Sequence, residues 1–312
     1  MSALLDVILP VFLVIGFGYA AARWLSFGEA AVDGLMRFAQ SFAIPVLLFK
    51  SIATLDFGAE AEVSLFLSFY IGAFTCFGLG FLGARLLFRR PLEDCVAIGF
   101  ICLFSNTLLL GVPITERAYG PGALAGNFAI IALHSPLFYI FGIVMMELVR
   151  SHGRLADPLS LIRQILRGVF TQPLVIGVLS GLAFNVSGLP IPAAMAGFLD
   201  LITRAAVPAA LFGLGGVLLR YRPEGDMKAI AMCCVLSIIV HPAITYGLAR
   251  GVFALDRDQL RSAVMTAAMA PGVNAYLFAH NYGVAKRVAA SSVLIGTASS
   301  ILTIWLWLHI LP

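Results

Sequence analysis

Two polar interruptions sit in the middle of otherwise apolar stretches of this chain. The first reads Ser105-Asn106-Thr107-Leu108-Leu109-Leu110-Gly111-Val112-Pro113. The second reads Ala270-Pro271-Gly272-Val273-Asn274-Ala275-Tyr276. Each sets an Asn beside Gly and Pro. Proline lacks a main-chain donor and collides with the preceding helical turn. Glycine brings backbone freedom that a helix must surrender. A helix that stops in apolar surroundings exposes free N–H groups and about half a positive charge at its N-terminal end. Such an end receives an anion without help from lysine or arginine. An amide side chain adds both donors and an acceptor. Asn106 and Asn274, with Thr107, Gly111, Pro113, Pro271, Gly272 and Tyr276, are therefore the candidate substrate-binding residues. The same residue types also fit a second role, in which each Asn only caps its own break.

Three histidines could move protons near neutral pH. His134 precedes Ser135-Pro136, His241 precedes Pro242, and His280 follows Asn274 by six residues. They are candidate proton or coupling sites, with a satisfied structural imidazole as the alternative for each. Asp200 and Arg204 stand four apart, share one helix face and could pair. Neither interruption contains an acid, so cation coupling through a carboxylate there has no support. No metal site or cofactor is expected. The five cysteines fall in apolar segments without CxxC spacing and read as small buried hydrophobes. The nucleotide-binding sequence G-x-x-x-x-G-K-[ST] is absent, as are HExxH and Gly-x-Ser-x-Gly, so no enzyme is expected.

The elements that must position these residues are membrane spans. The 312 residues are 61% hydrophobic and 12% charged, about half the charge of a soluble domain. An outer-membrane barrel is excluded by the long continuous apolar runs. Ten spans can be marked, at 3–22, 31–51, 63–84, 94–117, 122–147, 164–186, 191–219, 228–253, 260–282 and 287–311. The fourth and ninth carry the interruptions. A linker over 151–163 divides a first five-span unit (1–150) from a second (164–312). The amphipathic tail Leu159 to Arg167 could lie on the membrane surface. No cleavable leader is apparent.

Basic residues set the direction. With the N-terminus outside, inner loops hold Arg23, Arg85, Arg89, Arg90, Arg150, Arg154, Arg163, Arg167, Arg220, Arg222, Lys228, Lys286 and Arg287. Outer loops hold only Lys50, Arg117, Arg250, Arg257 and Arg261. Both termini are thus expected outside. The modest charge of +4 reads as topology and not as nucleic-acid binding.

The halves are related. Pro10 and Pro173, Gly18 and Gly181, and Pro45 and Pro208 are all 163 apart, and Ala43-Ile44-Pro45-Val46-Leu47-Leu48-Phe49 is similar to Ala206-Val207-Pro208-Ala209-Ala210-Leu211-Phe212. Five spans is an odd number, so the second copy enters from the opposite side. The expectation is an inverted repeat, and paired broken helices in such repeats mark a transporter's binding site.

The interrupted spans also carry a resemblance. Asn106 to Ile114 followed by Ala118-Tyr119-Gly120, Arg37 to Phe49, and Ala270 to Ala279 followed by Tyr282-Gly283 resemble spans four, two and nine of the auxin efflux carrier family. The likeness covers the whole chain in span count. It implies an all-α integral membrane fold, ten transmembrane helices in two inverted five-helix repeats, with discontinuous helices 4 and 9 crossing. It implies a scaffold from helices 1, 2, 6 and 7 and a transport domain from helices 3–5 and 8–10. It further implies a homodimer in a bacterial cytoplasmic membrane that moves a small organic anion, auxin-like or malate- or malonate-like, by elevator-type alternating access. Asn106, Asn274 and Pro113 match family positions at the crossover. Plant members carry Pro where this chain has Ala275, which moves the expected centre of the second break to Pro271. The long cytosolic loop of plant members is absent. The rival expectation is a membrane sensor or channel-like protein on the same scaffold, without coupled transport.

Overall fold

The computed structural model describes residues 3–55, 62–151 and 158–312. Among these, every element is helical apart from one isolated bridge. In chain order the helices are α1 (Leu9–Trp24), α2 (Glu29–Phe38), α3 (Ile44–Ala53), α4 (Val63–Leu86), α5 (Leu92–Leu103), α6 (Val112–Tyr119), α7 (Ala125–Arg150) and α8 (Pro158–Phe170). They continue with α9 (Pro173–Ser187), α10 (Ala193–Arg220), α11 (Met227–Val235), α12 (His241–Gly251), α13 (Arg257–Ala267), α14 (Val273–Tyr282) and α15 (Lys286–Ile310).

Among the described residues, seven continuous helical stretches are long and apolar enough to cross a membrane: Leu5–Trp24, Glu29–Ala53, Val63–Leu86, Pro121–Arg150, Ala193–Arg220, Met227–Gly251 and Lys286–Ile310. They fall on expected spans one, two, three, five, seven, eight and ten. Large apolar side chains stand open on their outer faces, among them Phe17, Leu201 and Leu302. A soluble protein rarely exposes so much contiguous apolar surface. The chain is an integral membrane protein.

One local rule recurs. Wide π turns run over Ala3–Ile8, Ala39–Ala43, Thr107–Gly111 and Leu236–Val240. The helix that follows each has a proline at its second residue: Pro10, Pro45, Pro113 and Pro242. Proline cannot accept an ordinary turn before it, because its ring meets the carbonyl four residues back and its donor is missing. An extra residue in the preceding turn relieves both problems.

The sixth span departs from expectation. Residues 164–186 do not form one straight helix: Ile162–Phe170 and Pro173–Ser187 meet at 82°. Pro173 opens α9 and holds Gln172 extended at ψ 118°. Helix α8 also begins at Pro158, inside the stretch expected as linker; residues 152–157 lie outside the described residues.

Close helix approaches are made at glycine. A Cβ on Gly18 of α1 would stand 1.9 Å from the Phe212 carbonyl oxygen of α10. A Cβ on Gly181 of α9 would stand 2.7 Å from the Phe49 carbonyl oxygen of α3. The main chains of α1 with α10, and of α9 with α3, are thus in direct contact.

Candidate functional site

The two interruptions meet. Between α5 and the π turn over Thr107–Gly111, the chain runs extended through Phe104, Ser105 and Asn106. Between α13 and α14 it runs through Ala268 to Gly272. Ser105 lies opposite Pro271 in an antiparallel bridge. The Asn106 N–H donates to the Ala270 carbonyl at 2.8 Å, and the Gly272 N–H donates to the Phe104 carbonyl at 2.8 Å. In this pattern the residues flanking Ser105 and Pro271 make both bonds, one donor from each segment, so the missing N–H of Pro271 costs nothing. Each break thereby satisfies main-chain groups that the other leaves free, as a buried backbone must. The Asn106 carbonyl also accepts from the N–H groups of Leu110 and Gly111, both at 3.2 Å.

Close packing holds the bridge. A Cβ on Gly272 would lie 3.3 Å from the Phe104 ring and 3.4 Å from the Ser105 carbonyl oxygen. A Cβ on Gly296 of α15 would come within 2.7 Å of Pro271 Cδ.

A cavity of about 150 Å³ lies against the bridge. Ser105, Asn106, Thr107, Gly272 and Asn274 line it from the two breaks, and His134 lines it from α7. Its wall contains no acidic or basic side chain, and His134 is its one titratable lining residue apart from the main chain. Ser105 Oγ and Asn106 Nδ2 are buried without hydrogen-bond partners, and the buried His134 ring lies beside the Ser105 main chain. Leaving such a group empty costs about 1–3 kcal/mol. Asn106 makes no side-chain capping bond to its own helical turn. The first-turn N–H groups of α14, at Val273 and Asn274, have no partner within the helix, and both residues line the cavity. The arrangement offers donors, orphaned and uncharged, to a polar or anionic guest.

The candidate residues divide as follows. Asn106, Thr107, Gly272, Asn274 and His134 come together at this cavity. Gly111 is buried inside the π turn, not in unwound chain, and Pro271 sits within the bridge itself. Pro113 opens α6 and lines a different cavity. Tyr276 packs against Tyr221 with ring centroids 4.8 Å apart and planes tilted by 51°, and His280 is exposed beside Tyr276. His241 is buried against Phe69, its Nε2 lying 3.3 Å from the Phe69 carbonyl oxygen. Asp200 does not pair with Arg204; it binds Lys50, at the adjoining end of α3. Gln40, Ser41 and Gln172 also line the bridge cavity. Sequence reading passed over them, although polar residues just ahead of a span proline were a usable signal.

Behind the cavity lies a second polar contact between the interrupted spans. Asn127 of α7 donates from Nδ2 to Thr266 of α13 at 2.7 Å and to Thr115 of α6 at 3.3 Å, all three fully buried. Among the described residues no group of His, Cys, Asp and Glu could hold a metal ion.

A membrane-embedded helical protein with two interrupted helices bonded at their breaks has the character of a carrier. The chain matches the family of membrane transport proteins over residues 3–308 and belongs to it; auxin efflux carriers are members. It is 24% identical over 305 residues to the "Putative malonate transporter" of Rhizobium meliloti, covering 97% of this chain and 94% of the other. It is 22% identical to the "Uncharacterized transporter YfdV" of Escherichia coli K12, covering 97% and 96%. It is also 24% identical to the "Lysosomal cholesterol signaling protein" of Mus musculus, covering all of this chain but 38% of that one.

Proposed function

We propose that this chain is a secondary transporter that binds a small organic anion, a mono- or dicarboxylate, where the two breaks meet. The observation that carries the reading is the pair of unpartnered buried donors, Ser105 Oγ and Asn106 Nδ2, on residues that line one small cavity at the bridge beside His134. A carboxylate accepting from them removes a penalty that the empty protein bears. The Rhizobium relative, whose name mentions malonate, supports a small dicarboxylate as the first compound to try.

In this reading ten spans form two inverted five-helix repeats, with the fourth and ninth crossing at the bridge. The reciprocal glycine contacts support it. Adding 163 to Gly18 gives Gly181, and adding 163 to Phe49 gives Phe212, so the Gly18–Phe212 and Gly181–Phe49 contacts are images of each other. A two-fold relation between the halves generates such pairs. Helices α1, α2, α3, α9 and α10 form the scaffold. The remaining spans, 3–5 and 8–10, move as a unit past it in an elevator-type cycle, with both termini outside a bacterial cytoplasmic membrane and the scaffold pairing two copies. His134 is the group in the cavity that could take up a proton with the anion.

The second reading is a sensor that binds without transport, favoured by the mouse signalling relative. Uptake into proteoliposomes separates the two. Saturable uptake of labelled malonate or another small carboxylate supports the carrier; saturable binding with no flux supports the sensor.

A further inference from the structure

We infer that the larger cavity of the molecule is a second anion-binding site, at which Arg204 receives a carboxylate before or after the bridge cavity holds it. The inference takes its substrate class from the carrier reading, but its geometry is separate. This cavity, about 880 Å³, lies beyond the π turn from the bridge. Thr107 lines the bridge cavity, whereas Pro113, Glu116 and Arg117 line the larger one.

Its wall is cationic. Lys50, Arg117 and Arg204 line it against one acid, Glu116. Two of the cations are already engaged. Lys50 is bonded to Asp200. Arg117 donates from Nη2 to the Asp6 main-chain carbonyl at 2.6 Å, which fixes the guanidinium but leaves its charge uncompensated. Arg204 makes no ion pair or hydrogen bond among the described residues, although Asp200 lies one turn earlier on α10, because that carboxylate turns to Lys50. One guanidinium therefore stands free in a basic cavity between α10 and α6. A guanidinium presents a planar fork that matches a carboxylate in two parallel hydrogen bonds. Charges of one sign in a cleft with apolar walls concentrate oppositely charged solutes. The bridge cavity, which lacks any cationic side chain, gains local anion concentration from such a neighbour.

The test is a titration with ¹³C-malonate, followed by NMR, of protein in nanodiscs of zwitterionic lipid. Wild type, Arg204→Gln, Arg204→Lys and Asn106→Leu are compared after each is shown by thermal melting to be folded. The expected result is two binding components. The weaker falls about fivefold in affinity in Arg204→Gln, in line with an exposed charge pair, and is kept in Arg204→Lys and in Asn106→Leu. It also fades at 1 M salt, where screening acts within about 3 Å. If Asn106→Leu does not fold, Asn274→Leu takes its place. A single component, or a weak component indifferent to Arg204→Gln, overturns the inference. A stronger component that survives Asn106→Leu, beside a weaker one that depends on Arg204, sinks the bridge-site reading and leaves this one standing.

Discussion

Asn106 hydrogen-bonds to Ala270 through its main-chain N–H at 2.8 Å, while its own side-chain nitrogen stays buried and unpartnered. One residue thus joins the two interrupted spans with its backbone and keeps its amide for something else. The backbone bond completes the fold. The amide is the part that a ligand can use.

This division makes stability and binding separable. Asn106→Leu removes an unsatisfied donor while the main-chain bond to Ala270 remains. Its melting temperature is expected to hold or rise, since an orphaned donor costs about 1–3 kcal/mol. The stronger component of malonate binding is expected to vanish, leaving only the weaker one. A residue whose amide served only the fold would show the reverse, with lower melting and unchanged binding.

The bridge depends on the bare surface of α15. Gly296→Ala sets a methyl 2.7 Å from Pro271 Cδ, too close for both to stay in place. Overpacking of this kind costs about 1–3 kcal/mol. Melting is expected to fall by that amount, and malonate affinity to fall with it, because the displaced strand carries cavity residues. Unchanged affinity in a destabilised variant would show that the bridge and the cavity are uncoupled.

The polar contact of Asn127 with Thr266 and Thr115 ties α7 to both interrupted spans. Asn127→Ala strands two buried hydroxyls and is expected to destabilise by about 1–3 kcal/mol. In a double-mutant cycle with Thr266→Val, the coupling energy is expected at about 0.5–3 kcal/mol, as for residues in direct contact. Additive effects would place the stabilising role elsewhere.

The glycine contacts of α1 with α10 and of α9 with α3 permit a sharper comparison. Gly18→Ala and Gly181→Ala each drive a methyl into a carbonyl oxygen, of Phe212 and Phe49 respectively. Both are expected to lower melting by about 1–3 kcal/mol or more. If the halves are two-fold images, the two losses match in kind. A large loss at one and none at the other would argue against the symmetry.

Much of this was legible in the sequence, for physical reasons. Asn, Gly and Pro have no cheap place in the middle of an apolar span, so Asn106 and Asn274 marked the breaks, and the structure puts both at one cavity. What was not legible depended on contact. The break centres lie at Phe104–Asn106 and at Ala268–Gly272, because the wide turn before Pro113 keeps Gly111 and Pro113 helical. The histidines looked alike in sequence, yet only His134 faces the cavity, while His241 turns to Phe69 and His280 to the surface. Helix spacing suggested Asp200 with Arg204; Lys50, across on α3, takes the carboxylate instead. The bend at Gln172–Pro173 went unread although Thr171-Gln172-Pro173 interrupts the apolar run there.

The most direct measurement follows the Asn106 side-chain amide itself, in ¹⁵N-labelled protein in nanodiscs, assigned by its disappearance in Asn106→Leu. As malonate or a related small carboxylate is added, the account expects the Nδ2 resonance to move downfield, with its midpoint at the concentration that half-saturates uptake. An amide resonance that stays fixed while the protein binds or carries the acid would contradict it.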